Sequence, residues 1–252
     1  MEPDEAYRLL RGGPDGISEW NRRITDEAFC PALGGANLAE ADLTGIKLTG
    51  VNLTGANLSG ARVANADLSN TNLSGSNLYT VDLAGTDLSA AKLCSSNCFG
   101  AKFANINGAG ADFSGANLVR AVFGGADLRG ALFTDGDLTE ANLIGANLFK
   151  ADLSRSFLNR ADLSKGNYSE ARFDEAELAE VNLMGANLHR AFLIRVRFGE
   201  AELLGANLNG ANLTGADLFG VKSLTYFQIL SMIGDKTTRL PVDTPYPRWK
   251  WK

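Results

Sequence analysis

The chain has 252 residues, 45% of them apolar, with 24 lysines and arginines against 29 aspartates and glutamates, a formal charge of −5. That length can bury a sizeable core, while the acidic balance excludes broad phosphate-backbone binding, which needs a clustered excess of Lys and Arg. Three cysteines, Cys30, Cys94 and Cys98, are too few and odd in number for a secreted disulfide framework.

The N-terminus, MEPDEAYRLL, has no basic region followed by an apolar one, and no apolar run reaches the roughly 18 residues of a membrane span. The expectation is a cytoplasmic protein with no nucleic-acid or membrane partner. Residues 1–35 read as an N-terminal helical cap, in which DEAYRLLRG and GISEWNRR form two short helices that offer Leu9, Leu10, Ile17 and Trp20 to a core. Residues 36–220 are 37 consecutive pentads in one register. From Leu38 to Leu218, positions ending in 3 or 8 are almost all apolar, two residues earlier stands a small or β-branched side chain, and Asn or Asp usually lies between. Residues 221–252 read as a helix from about Thr225 to Ile233, apolar at Phe227, Leu230 and Ile233, and a proline-punctuated tail ending PRWKWK. The three apolar residues are taken as a cap for the last coil or a contact between two copies of the chain.

A period of five fits neither the 3.6 of a helix nor the 2 of an alternating strand. It fits a short extended segment followed by a tight turn. The small residue and the leucine point to one side, and the Asn or Asp points to the other. Four such segments can close a square. Glycine fills 17 of the 37 last positions of a pentad, as a corner with φ > 0 would demand.

Tandems such as AEADLTG, VNLTGANLSGA and GANLNGANLTGADL resemble the pentapeptide-repeat family over about three quarters of the chain. The resemblance implies an all-β solenoid, a right-handed quadrilateral β-helix of about nine coils, with short helical caps at both ends. At the roughly 4.8 Å spacing of paired strands the rod would be on the order of 45 Å long. Each buried Leu or Phe contributes roughly 1.5 to 3 kcal/mol, and coils are stable only when stacked.

Departures from the pattern are read individually. Gly108 stands where Leu is expected and Ile106 where a small residue is expected, which predicts an exchange of volume. Cys98 reads as a buried hydrophobe, and Cys94 and His189 as outward residues without the partners of a metal or catalytic site. No phosphate-binding glycine loop occurs. The sequence therefore predicts no enzyme activity, cofactor or metal.

Two functional readings remain. In the first the chain is a non-catalytic scaffold for a protein partner or a second copy of itself. Its candidate strip is Tyr79, Phe99 and Val119, twenty residues apart and stacked in successive coils, with Val122 and Ile144 round the adjoining corner. In the second, implied by the family resemblance, the rod mimics DNA and binds DNA gyrase, giving resistance to quinolones or toxins. Its candidate acidic wall is Asp67, Asp87 and Asp127, broken by Asn107 and flanked by Lys47 and Arg129. The repeat region carries 20 acidic and 14 basic residues, a weak excess for a DNA mimic. The most charged stretch, RSFLNRADLSKGNYSEARFDEAELAE, resolves at twenty-residue spacing into columns of alternating sign: Asp135, Arg155, Glu175, Arg195; Arg120, Glu140, Arg160, Glu180; and Lys150, Glu170, Arg190. Such columns predict ion-pair ladders that fix the stacking register rather than an acidic surface.

Overall fold

A computed structural model describes residues 3–24 and 33–242. From Asn37 to Lys222 each bridging residue pairs in parallel with the one twenty further on, as in Asn37 with Asn57 and Asn57 with Asn77, so four pentads make one turn of a β-helix solenoid. Four bonds recur per pentad. Leu38 N–H donates to Asn57 O at 2.7 Å, Asn57 N–H to Ala36 O at 2.8 Å, the corner Glu40 N–H to Ser59 O at 2.9 Å, and the turn closes from Ala56 N–H to Leu53 O at 3.0 Å. The backbone polar groups are thus satisfied between coils, which lets the walls carry any side chain on the outside.

The corner geometry explains the glycines. With one exception, every fifth residue of a pentad has φ between about +50° and +80°, the left-handed third residue of a type II turn. Glycine adopts that conformation without a Cβ penalty, but Arg120, Glu140, Arg155, Arg160 and Glu175 also sit there, at φ 59°, 59°, 59°, 60° and 64°. The exception is at Gly199, where the left-handed residue, φ 47°, comes one position early and Glu200 is not left-handed.

Inside, the leucine and small positions form one buried cluster from Leu33 to Val221. Its middle holds two pairs of phenylalanines on opposite walls. Phe103 and Phe123 stack at 4.7 Å, Phe113 and Phe133 at 4.9 Å, and the pairs meet edge to face at 5.6 to 5.9 Å. The coil spacing therefore equals a ring-stacking spacing. Beside this cluster a Cβ on Gly108 would lie 2.9 Å from Leu128 Cδ2 and 3.2 Å from Ile106 Cδ1. The expected exchange of volume is present: Ile106 and Leu128 occupy the space a leucine would have filled. Introducing the consensus leucine, Gly108→Leu, should thus destabilise the rod by about 1–3 kcal/mol through overpacking, and Ile106→Ala added to it should restore most of the loss. A chemical denaturation midpoint of Gly108→Leu equal to that of the unaltered chain contradicts this packing. A second exchange, at Gly166, was not anticipated: a Cβ there would meet the Tyr168 ring at 2.5 Å, and Tyr168 is fully buried in a leucine position.

The N-terminal edge is covered by α1 (Pro3–Leu10) and α2 (Gly13–Arg23). Leu9, Leu10, Ile17 and Trp20 are buried, as their spacing suggested. The cap also satisfies edge backbone: Trp20 Nε1–H donates to Lys47 O at 2.8 Å, Asn21 Nδ2 donates to Gly45 O at 2.9 Å, and Asn21 Oδ1 accepts from Lys47 N–H at 2.8 Å.

At the other end α3 (Tyr226–Ser231) begins with a capping box between Thr225 and Gln228. Gln228 Nε2 donates to Leu203 O at 2.9 Å and Ala206 O at 3.0 Å, pinning the helix to the last coil. This corrects the expected apolar face. Pinning through Gln228 turns Ile229 and Met232 inward, where both are buried, and leaves Phe227, Leu230 and Ile233 at 80%, 38% and 54% exposure. Ile233 is also not helical; it bridges to Asn212, and Arg239 bridges to Asp217, so the ladder resumes beyond α3. The PRWKWK tail lies outside the described residues, as does Cys30.

Candidate interaction surfaces

Tyr79 and Phe99 meet as the twenty-residue spacing demands, with ring centroids 5.6 Å apart and planes 12° apart. Tyr79 is 46% exposed, and Phe99 and Val119 are half-buried. The strip continues through the backbone, where Thr80 N–H donates to Phe99 O and Gly100 N–H to Val119 O, each at 2.9 Å. Val122 is half-buried on the next wall and Ile144 is exposed at the corner beyond it, one coil further on, so these two lie apart from the aromatic pair.

The wall beside the strip is uncharged for five coils. Asn57, Asn77, Asn97 and Asn117 each donate from Nδ2 to the Oδ1 of the asparagine one coil earlier, at 3.2 to 3.3 Å. Each Oδ1 also accepts the backbone N–H two residues on, as Asn77 does from Tyr79 at 3.2 Å. Asparagine at the outward position therefore knits coil to coil and holds the turn, which is why the repeat prefers Asn and Asp there.

A second apolar line went unrecognised in the sequence. Ile144, Met184 and Leu204 occupy equivalent corners, separated only by Ser164, and are 39%, 40% and 50% exposed. Twenty-residue spacing from Ile144 was the available signal. Leu132, Phe157, Phe192 and Phe219 are further exposed apolar residues.

Asp67, Asp87 and Asp127 do share one wall with Asn107 between them. They do not present free carboxylates. Burial works against the charge of Asp67, yet hydrogen bonds from Ser69 and Thr49 outweigh it and hold the carboxyl below its usual range. Asp127 is held low by Arg129, 2.7 Å away. Asp87 accepts from Asn107 Nδ2 at 3.1 Å and from Ser89 N–H at 2.8 Å.

The charged columns form pairs rather than unbroken ladders. Asp135 meets Arg155 at 2.7 Å, Glu175 meets Arg195 at 2.5 Å, and Lys150 meets Glu170 at 3.5 Å. Glu140 alone bridges two coils, to Arg120 at 2.7 Å and Arg160 at 3.2 Å. Arg155 holds the Asp135 carboxyl low, and Arg120 does so for Glu140. Most of these groups are exposed and all sit in left-handed corners that favour glycine, so their ion pairs fix register more than they add stability.

Cys98 is buried, which pushes its thiol up to about 12 and leaves it inert. Cys94 is half-buried, 3.3 Å from Ser74 Oγ. His189 is half-buried on a turn. Among the described residues no group of three His, Cys, Asp or Glu could hold a metal ion, and no helix is long and apolar enough to cross a membrane.

The twenty-residue ladder with outward Asn or Asp and inward Leu is matched by a family model described as pentapeptide repeats, in eight copies over residues 33–70, 64–97, 96–135, 126–164, 167–199 and 186–222. The chain belongs to the pentapeptide-repeat family. Among solved pentapeptide-repeat structures, HetL from the cyanobacterium Nostoc sp. strain PCC 7120, a protein involved in heterocyst differentiation regulation, is 25% identical with a TM-score of 0.64, covering 90% of this chain and 93% of that one. QnrB1, a plasmid-mediated fluoroquinolone resistance protein, is 18% identical with a TM-score of 0.48, covering 67% of this chain and 90% of that one. Rfr23 from the cyanobacterium Cyanothece 51142 is 41% identical over 41% of this chain and 63% of its own, with a TM-score of 0.21. No curated protein matches the chain.

Proposed function

We propose that this pentapeptide-repeat chain is a non-catalytic, cytoplasmic protein-interaction scaffold, a right-handed quadrilateral β-helix of about nine coils over residues 36–220, with caps at 1–35 and 221–252. The observation that carries the reading is the exposed Tyr79–Phe99 stack beside an uncharged asparagine wall. Ordered aromatic area with little charge around it is what protein interfaces bury at their centre, whereas the acidic groups of the charged columns are mostly paired with arginine or lysine. HetL, whose likeness spans most of both chains, is involved in regulation of differentiation, and a regulatory contact is a role a scaffold of this kind performs. The gyrase-directed reading needs a continuous acidic stripe. The wall of Asp67, Asp87 and Asp127 is instead interrupted by Asn107 and neutralised at Arg129, so the scaffold reading is preferred.

Association through the strip is tested by light scattering over a range of concentrations. Tyr79→Lys with Phe99→Lys should weaken self-association about tenfold or more, since both centres of the contact are lost. An association state unchanged by the pair removes the strip as a self-contact. Phe227→Lys asks the same of the exposed α3 surface, where Leu230 and Ile233 complete the candidate dimer contact.

A further inference from the structure

The corner at Gly199 breaks the regular pattern in three ways at once. Its turn is reversed, with the left-handed residue one position early; a Cβ at Gly199 would lie 3.0 Å from Ala179 Cβ, so this turn requires glycine. The backbone N–H groups of Glu180, Gly199 and Glu200 make no hydrogen bond among the described residues, although the equivalent N–H of Glu175 donates to Ile194 O at 2.8 Å. A cavity of about 260 Å³ opens there, lined by Ala179, Gly199 and Phe219 at the corner and by Glu177, Arg197 and Asp217 on the wall beside it.

The cavity is a gap in an aromatic stack. Phe219 follows Gly199 by one coil and is 48% exposed. The Arg239 guanidinium lies 4.3 Å from the Phe219 ring centroid and 3.3 Å from Asp217, one coil further along. One face of Phe219 is therefore covered by a cation, and the other turns toward a glycine that offers no side chain. Elsewhere in this rod rings in successive coils stack at 4.7 to 5.6 Å, so one planar ring placed over Gly199 would complete the column. At about 260 Å³ the space holds a single large side chain and falls below the usual volume of small-molecule sites. The rim favours a positive charge next to that ring. Glu177 is paired with Arg197 and Asp217 with Arg239, but Glu180 at the same corner is in no ion pair among the described residues.

A segment with that chemistry lies close by in the sequence. The ten residues after Val242 end Arg248, Trp249, Lys250, Trp251, Lys252, two rings each flanked by cations. We propose that the slot beside Phe219 is a docking site for the chain's own C-terminal segment, which inserts the indole of Trp249 or Trp251 against the open face of the ring. Trp249 lies seven residues beyond Val242, a reach of up to about 23 Å, while Val242 is three residues from Arg239, which already touches Phe219. Tethering of this kind supplies an effective concentration on the order of millimolar, so the chain's own segment outcompetes that of a second copy. The unbonded N–H groups of Gly199 and Glu200 are available to carbonyls of the incoming segment.

Acrylamide quenching of tryptophan fluorescence in the full-length protein tests the docking. Trp20 is buried and gives a constant background. The tail tryptophans should be quenched at least about twofold less than those of the free acetylated peptide RWKWK, and Phe219→Ala should remove the protection, because the stacked pair supplies the binding. Trp249→Phe and Trp251→Phe identify the ring, and Tyr79→Lys, which alters only the distant strip, should leave the protection intact. Quenching equal to that of the peptide, or protection that survives Phe219→Ala, overturns the proposal. Protection lost on dilution from about 100 to about 1 µM assigns the slot to the tail of a second copy and overturns docking within one chain.

Discussion

Phe123→Ala should cost about 3–5 kcal/mol, the usual loss for a buried aromatic truncated to alanine, and should do more than lower the midpoint. Phe123 is fully buried, stacks on Phe103 at 4.7 Å and meets Phe113 and Phe133 edge to face at 5.8 and 5.9 Å. Phe113 is its counterpart on the opposite wall, with Phe103, Phe123 and Phe133 at 5.6, 5.8 and 4.9 Å. A solenoid is stabilised by each coil and by each interface between neighbouring coils, so a hole at this interface weakens the coupling of the N-terminal half to the C-terminal half. Chemical denaturation is expected to broaden or split into two steps, with hydrogen exchange accelerated first in the coils around 103–133. A single transition with unchanged midpoint and slope is incompatible with the four-ring cluster as the central clasp.

What could be read from the sequence is whatever repeats. The five-residue period fixes which side chains face inward, and the twenty-residue pairing follows once four pentads close a turn. Tyr79 and Phe99 were brought together by that arithmetic, as were Asp135 and Arg155. The features that escaped are those where one residue changes the backbone or the helix rotation. The reversed turn at Gly199 depends on the clash a Cβ would make with Ala179, one coil away; Gly124 stands at the same fourth position of its pentad without reversing its turn, so one dimension does not separate the two. The face that α3 buries depends on Gln228 reaching two carbonyls of the last coil, which selects Ile229 and Met232 over Phe227 and Leu230. Met184 and Leu204 were legible by spacing from Ile144. The acidic wall was legible as a row of residues but not as a field, because hydrogen bonds from Ser69, Thr49 and Arg129 to the carboxylates depend on side-chain direction.

Trp20→Ala should be of similar size, about 3–5 kcal/mol, but with a different consequence because of where the loss falls. The indole is fully buried and its Nε1–H satisfies Lys47 O at 2.8 Å on the first coil. Truncation removes the largest side chain of the cap and leaves a carbonyl of the edge without its donor, next to Asn21, whose side chain holds both Gly45 O and Lys47 N–H. An uncovered terminal coil displays apolar core and unpaired backbone, the template on which a second chain pairs. The variant is therefore expected to fray from the N-terminus and to aggregate with a concentration dependence that Phe123→Ala does not show, since that hole is enclosed between coils. Trp20→Phe separates the two contributions: it keeps most of the apolar contact and loses the donor, and should fall between the unaltered chain and Trp20→Ala in stability. If Trp20→Ala stays as soluble as the unaltered chain while its first coils keep their hydrogen-exchange protection, α2 does not guard the edge, and that coil is closed by other means.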